Sequence, residues 1–509
     1  MRARGICART LLLASVALTT LPVTAATLRE AFVQTYTTSP VLTSARARLR
    51  ATDEGVPIAK AESRLQVSGT VGVTQSTNGI TKLTNGGRVL TGGLNLSYPL
   101  FQGGRVRNAI NAAEARVIAG RADLRTTEGD TFTQAVGAYM DVIRDQAIVD
   151  LNRKQVDVLN TNLRASRDRF QVGDLTRTDV AQSEARLSLA RSQLATAQGQ
   201  LTSSRESYRR IIGAWPADLQ APPALPKLPV TPDAAVQIAL GNSPAIQTAT
   251  ASTQAAGFDV RTARAARAPT FSAVGGSSYN NYLGTRAQAS GISKDNPLAS
   301  QLSQTASENS VGVQLTLPLY QGGLIGARVR QAQAIESQAL EQSIDVERQV
   351  IANARAAYAV FQAAGEAIRA NEQAVSANTL ALEGVRAENS AGTRTVLEVL
   401  NAEQELLNAQ VQLVSARRDQ YVAGFALLNA MGQAEARDLG LDGGPLYDPV
   451  ANYNRVRNRI GDYGDNPRYT PQGTRTYGPT PPEPDAGVVP GVDVPNAAGP
   501  PTVVTPRRK

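Results

Sequence analysis

Tyr98-Pro99-Leu100-Phe101-Gln102-Gly103-Gly104 recurs 219 residues later as Leu317-Pro318-Leu319-Tyr320-Gln321-Gly322-Gly323. The same offset carries Gly173 onto Gly392, Asp179 onto Glu398, Val180 onto Val399, Glu184 onto Glu403 and Leu194 onto Leu413. Nearer the start, Ser39-Pro40 matches Ser243-Pro244 at an offset of 204, so the second copy holds 15 additional residues between Pro244 and Leu317. Anchors in one order, several at one offset, mark an internal duplication, and repetition of this kind decides the architecture before any single motif does.

Each copy repeats one order of elements. A short helical stretch comes first, at about 40–61 and 244–267. Alternating segments follow: Val67, Val71 and Val73, then Leu94, Leu96 and Tyr98; in the second copy Phe271 and Ala273, then Val311, Val313, Leu315 and Leu317. Apolar residues at period two, with Ser, Thr, Gln and Asn between, predict strands with one greasy and one wet face. Asn78, Gly79, Asn85, Gly86 and Gly87 mark the first hairpin loop, and the extra residues predict a longer loop at about 276–309. Pro99 with Gly103-Gly104, and Pro318 with Gly322-Gly323, mark the strand-to-helix bends. Proline-free tracts then run from about Arg105 to Gln171 and Arg328 to Asn389, with apolar residues three and four apart. At 1.5 Å per residue each makes a rod of roughly 100 Å. Glycine turns at Gly173 and Gly392 reverse the chain into shorter helices, about 178–212 and 395–431. The two short helices of each copy together match the long one, so they stack end to end beside it. Their junction forms a belt from about Trp215 to Asp233 and from residues beyond Met431.

Composition excludes several classes. Of 509 residues only 5% are aromatic, which suits narrow helix seams better than a large globular core. The formal charge of +9 is dispersed among Glu and Asp, unlike the clustered stripe that binds nucleic acid. Residues 1–26 read as a secretory signal: Arg2, Arg4 and Arg9, an apolar stretch from Leu11 to Leu21, then Thr24-Ala25-Ala26. Beyond Cys7 the chain has no cysteine, and it has no histidine. A Ser-His-Asp triad, a Cys nucleophile and a His-ligated metal are therefore unavailable, and the sequence gives no catalytic, cofactor or metal site. Gly322-Gly323-x-x-Gly326 lacks the spacing of a dinucleotide loop. The domain reading is signal peptide 1–26, repeat one 27–229, repeat two 230–440, and a Pro-rich disordered periplasmic tail 441–509.

No later stretch is apolar enough for a membrane helix, so any membrane must be crossed by strands. Two repeats give four strands, and an open four-stranded sheet leaves edge N–H and C=O groups unpaired in lipid at several kcal/mol each. Closure needs more chains. The expected fold is an α+β membrane protein: a trimeric 12-stranded β-barrel, four strands per chain, continuous with a long α-helical coiled-coil barrel. A periplasmic coiled-coil adaptor or fibrous structural protein is the competing reading; it accounts for the helices but not for a strand hairpin in each repeat.

The duplicated (Tyr/Leu)-Pro-Leu-(Phe/Tyr)-Gln-Gly-Gly, with the hairpin Ala391-Gly392-Thr393-Arg394-Thr395-Val396-Leu397-Glu398-Val399-Leu400-Asn401-Ala402, resembles the TolC family of outer-membrane export channels, over about 27–440. The resemblance implies a homotrimeric channel-tunnel in outer-membrane lipid, exporting proteins or small toxic compounds. Its periplasmic tip would dock on an inner-membrane ABC or RND-type pump and a periplasmic adaptor, and open by untwisting helices. It assigns a gate to the turn residues Gly173, Gly392 and Thr393, and a latch between hairpins to Thr178, Asp179 and Arg394. Asp179 also stands where a helix N-terminus favours a carboxylate without any arginine. Glu398 and Asn401, three apart on one face, would line an aperture ring, where the family pattern has two aspartates. Asn389 stands where the family tends to carry an aromatic latch residue.

Overall fold

A computed structural model of the chain describes residues 27–76, 87–290, 292, 295–441 and 446–471; the signal segment, the first hairpin loop at 77–86 and residues 472–509 lie outside the described residues. Repeat one runs α1 (Leu28–Thr38), α2 (Pro40–Asp53), α3 (Gly55–Ala61), β1 (Gln66–Gln75), β2 (Arg88–Phe101), α4 (Arg105–Gln171) and α5 (Arg177–Ile212). Repeat two runs α6 (Pro232–Asn242), α7 (Pro244–Ala265), β3 (Thr270–Asn281), a one-turn α8 (Arg286–Ala289), β4 (Thr305–Thr316), α9 (Leu324–Ser390) and α10 (Val396–Ala430), with α11 (Ala451–Val456) beyond it.

The strands form one antiparallel sheet in the order β1-β2-β3-β4. Its registers carry the duplication: β1 pairs Gln66 with Ser97, β3 pairs Thr270 with Thr316, and the offsets of 204 and 219 convert one pair into the other. Cross-strand partners share a face. Val67, Leu96, Gly275 and Val311 therefore form one row, and Tyr98, Ala273 and Val313 another. The opposite face carries Ser68, Asn95, Gly276 and Ser310. Nothing covers the apolar face, where Val311 is 96% exposed. The longer loop is shorter than the expected 276–309: β3 continues to Asn281 and β4 starts at Thr305. Polar Ser277, Ser278 and Asn280 break the hydrophobic signal yet keep their ladder partners Asn309, Glu308 and Ala306.

Both strand-to-helix bends use two successive left-handed glycines. Gly103 and Gly104 have φ of 59° and 81°, Gly322 and Gly323 of 60° and 82°, and the second of each pair caps its long helix. A Cβ would be strained at these angles. The two bends differ in one respect. Tyr98–Phe101 stays in β2 because β3 lies beside it, with a bulge between Pro99 and Phe101. Leu317–Tyr320 has no neighbour beyond β4 and leaves the ladder, with Leu319 and Tyr320 each 87% exposed.

The main core is the belt. Phe32, Phe132, Tyr139, Phe425, Leu427, Met431 and Ile212 pack where α1, α4, α5 and α10 meet, with Phe32 and Phe132 rings 5.2 Å apart, edge to face. Tyr139, buried on α4, donates its hydroxyl to Gln220 O at 2.7 Å, and its repeat-two counterpart Tyr358 donates to Val230 O. These bonds pin the Pro-rich crossover 214–231 to the belt.

Within the segment expected to be a disordered tail from 441, the described residues 446–471 pack against repeat one. Leu441 is buried in the belt, and the described residues from 446 run beside α2 and α3 toward the strands. The Tyr447 N–H donates to Tyr36 Oη at 2.9 Å, and Arg46 lies over both rings. Higher up, Asn452 donates to Asp53 at 2.8 Å, and Lys60 and Arg64 donate to the carbonyls of Arg457 and Arg459 at 3.0 and 2.7 Å. Tyr453 packs with Val56, Ala59, Ala113 and Val117, and Val456 is fully buried. Proline content hid this segment, because its order comes from long-range contacts rather than from its own periodicity. Replacing Tyr453 with Ala should cost about 1–3 kcal/mol for a partly buried aromatic. Limited trypsin digestion checks it: cleavage after Arg455, Arg457 and Arg459 should become much faster, while the belt stays intact.

Candidate gate and its inter-hairpin ties

The ends of the long helices farthest from the sheet carry the predicted site residues. Gly173 and Gly392, with φ of 82° and 80°, reverse the chain after α4 and α9. Each following helix starts with a capping box. Thr176 Oγ1 accepts from the Asp179 N–H at 3.3 Å while the Thr176 N–H donates to Asp179 Oδ2 at 3.0 Å. Thr395 and Glu398 repeat the arrangement at 3.4 and 2.8 Å. Asp179 and Glu398 are thus the same structural residue in two copies, each satisfying helix-end N–H groups that would otherwise lack partners.

Arg394 folds back on its own hairpin. Its Nε lies 2.7 Å from Glu388 and its Nη1 2.6 Å from Glu398. Thr393 donates to Glu388 O at 2.9 Å, and Asn389 to Arg394 O at 2.7 Å. Within one chain no ion pair joins Arg394 to Asp179, and Thr178 stays exposed. The first hairpin closes differently, through Arg169 and Asp174 at 2.8 Å. Hydrogen bonds from Thr395, with the Arg394 guanidinium beside it, hold the Glu398 carboxyl down at about 2, and the two carboxylates raise Arg394.

The two hairpins of one chain are joined just above these turns by Asn401, of the expected aperture pair, and by residues outside the predicted set. Arg186 on α5 donates to Asn401 on α10 at 2.5 Å, so Asn401 bonds across the seam between hairpins. Two residues further along α10, Glu403 is 3% exposed and accepts from Asn162 on α4 at 3.0 Å and Arg386 on α9 at 3.1 Å. Leu400 fills the space beside them with Leu159, Leu163 and Leu187. The sequence signal was present: Arg167 and Glu184 are the repeat-one counterparts of Arg386 and Glu403, and they pair at 3.6 Å on an exposed face. Only the fold shows which copy of that pair becomes buried.

A sheet with one bare apolar face, mounted on paired helices of roughly 100 Å, defines a protein that crosses a bilayer with strands and reaches far beyond it with helices. Residues 33–214 and 235–433, one stretch per repeat, match the family described as outer membrane efflux protein, and the chain belongs to that family. It is 34% identical over 433 residues to the outer membrane efflux protein BepC of Brucella suis, spanning 85% of this chain and 91% of BepC. It is 27% identical over 333 residues to the outer membrane protein TolC of Escherichia coli, spanning 64% of this chain and 66% of TolC. In structure it is similar to the outer membrane protein VceC of Vibrio cholerae, with a TM-score of 0.66 at 23% identity over 80% of this chain and 96% of that one. The protein is therefore an outer-membrane efflux or secretion channel component extending into the periplasm. The adaptor or fibrous alternative is not favoured.

The low carboxyl value sets a pH signature. Glu398 lies below its ordinary 4.5 when folded, so its contribution to the turn is complete above that pH and is lost as pH falls through about 2. Hydrogen exchange over residues 393–400, corrected for intrinsic rates, should show protection at pH 4 that disappears near pH 2. Loss of protection already at pH 4 would contradict the cap geometry.

Proposed function

We propose that three copies close a twelve-stranded barrel in the outer membrane, that their helices continue it as a periplasmic tube, and that the hairpin tips gate export. The tips would engage an inner-membrane ABC or RND-type pump and a periplasmic adaptor, with proteins or small toxic compounds as cargo. Thr178, Asp179 and Arg394 are the proposed latch, and Glu398 with Asn401 the aperture positions, in a tip where Arg394 is shared between Glu388 and Glu398.

The carrying observation is the pair of open sheet edges. β2 pairs Leu96 with Gly275 across the repeat boundary. Moving β2 forward by 219 and β3 back by 204 sets Leu315 of one copy opposite Val71 of the next. The same shift sets Val313 opposite Val73, and both pairs keep the apolar residues on one face. It also supplies the missing neighbour at the second bend. A Cβ on Gly103 would collide with Ala268, whereas a Cβ on Gly322 would meet nothing within 4 Å among the described residues of one chain. The shifted counterpart of Ala268 is Arg64 of the next copy.

Two tests follow. With Val71 and Leu315 both replaced by Cys, oxidation should give covalent trimers on denaturing gels; monomers only would remove the closure. Gly322→Ala should lower the dissociation temperature of the assembly about as much as Gly103→Ala, and a much milder effect would leave the β4 edge free. For the gate, Arg394→Ser should raise single-channel conductance in planar bilayers, and an unchanged closed state would dismiss the latch.

A further inference from the structure

The helix-to-strand transitions carry a charge pattern that channel architecture does not require. Arg107 on α4, Arg264 and Arg267 at the end of α7, and Arg328 and Arg330 on α9 are all exposed, and none makes an ion pair among the described residues. Arg107, Arg328 and Arg330 lie within about two turns of the strand-facing ends of α4 and α9, roughly 10 Å of axial rise, and Arg264 and Arg267 within six residues of β3. The carboxylate closest to a strand in this band, Glu62, is engaged by Arg105 at 3.0 Å, and Asp259 by Arg116. The unbalanced charge at this level is therefore positive.

The same level receives the C-terminal segment. Arg64, two residues before β1, holds the Arg459 carbonyl, and Arg455 donates to Asn466 at 3.1 Å. The loop between these ties leaves Ile460 76% and Tyr463 99% exposed. Asp462 and Asp465 are matched in number by Arg459 and Arg468, so the loop adds apolar and aromatic surface without changing the sign of the band.

We infer that this band is a binding collar for anionic phospholipid headgroups of the periplasmic leaflet. The inference rests on the outer-membrane placement of the sheet. The bare apolar face meets hydrocarbon, and the headgroup layer beyond it is about 5–8 Å thick on each side. Unpaired guanidiniums just past the strand ends fall in that layer, where each favours an anionic surface and forks onto phosphate oxygens. Tyrosine at the same depth is the usual interfacial residue of membrane proteins. Exposed Leu317, Leu319, Tyr320 and Leu324 carry apolar surface from the end of β4 to Arg328, which marks lipid as the occupant.

The test uses full-length protein in uncharged detergent, with phosphatidylglycerol or phosphatidylcholine added, and compares it with the triple variant R264Q/R267Q/R328Q. Phosphatidylglycerol should raise the unfolding temperature of the parent by several degrees more than phosphatidylcholine, and salt should shrink the difference. The variant should lose more than half of that excess while keeping its stability without lipid, since these arginines hold no side-chain partner among the described residues. Equal shifts from both lipids, or an undiminished shift in the variant, overturn the proposal. So does a retained lipid shift with altered ion selectivity in planar bilayers, which would place the arginines in the lumen. A protein that shows the lipid shift but never conducts would instead sink the channel reading and leave the collar standing.

Discussion

An unpaired backbone amide in hydrocarbon costs several kcal/mol, and this chain presents two whole rows of them, along β1 and β4. No rearrangement within one chain can satisfy both rows, because the sheet is only four strands wide and its strands are already in meander order. The protein's organisation follows from that deficit. The duplication gives both edges related sequences, so the contact that already joins the repeats can be reused to join copies. The bare apolar face, the loose Leu317–Tyr320 segment and the unfilled space at Gly322 are the features that the proposed closure by another copy would complete.

The helical half works under a different constraint. Two rods of 67 residues cannot be held straight by propensity alone, so packing must be distributed along them. The bulky aromatics are concentrated at the belt, where four helices and both crossovers meet, and small alanines fill the seams elsewhere. Between the belt and the tips the seams rely on polar ties, among them Ser204 with the buried Asp145 and the Glu403 cluster. Bonds to buried charges are costly to leave half made, which fixes the register of one hairpin on the other.

Most of the fold was legible because the duplication let each copy check the other: strands, bends, long helices and reversals recur at fixed offsets. The site was legible only in outline. Thr395-x-x-Glu398 is a capping box in plain sequence, yet the aperture reading took Glu398 as a free carboxylate rather than one already bonded to Thr395 and Arg394. Asn401 and Glu403 find partners on other helices, Arg186 and Asn162, at sequence separations of 215 and 241, which no local pattern records. The ordered C-terminal segment escaped for the same reason. Its signals are single residues, Tyr447, Tyr453 and Val456, each meaningful only beside α1 to α4.

That segment changes the polarity of the polypeptide. Helix α9 descends from the sheet and α10 returns from the tips to the belt, and the chain then continues up beside α2 and α3, as far as Arg64, two residues before the first strand. The described chain therefore finishes, at Pro471, beside the strand-proximal end of the helices and not beside the hairpin tips. A label placed at the exposed Tyr463 would thus report on the level of the strand ends, and would leave the hairpin tips clear.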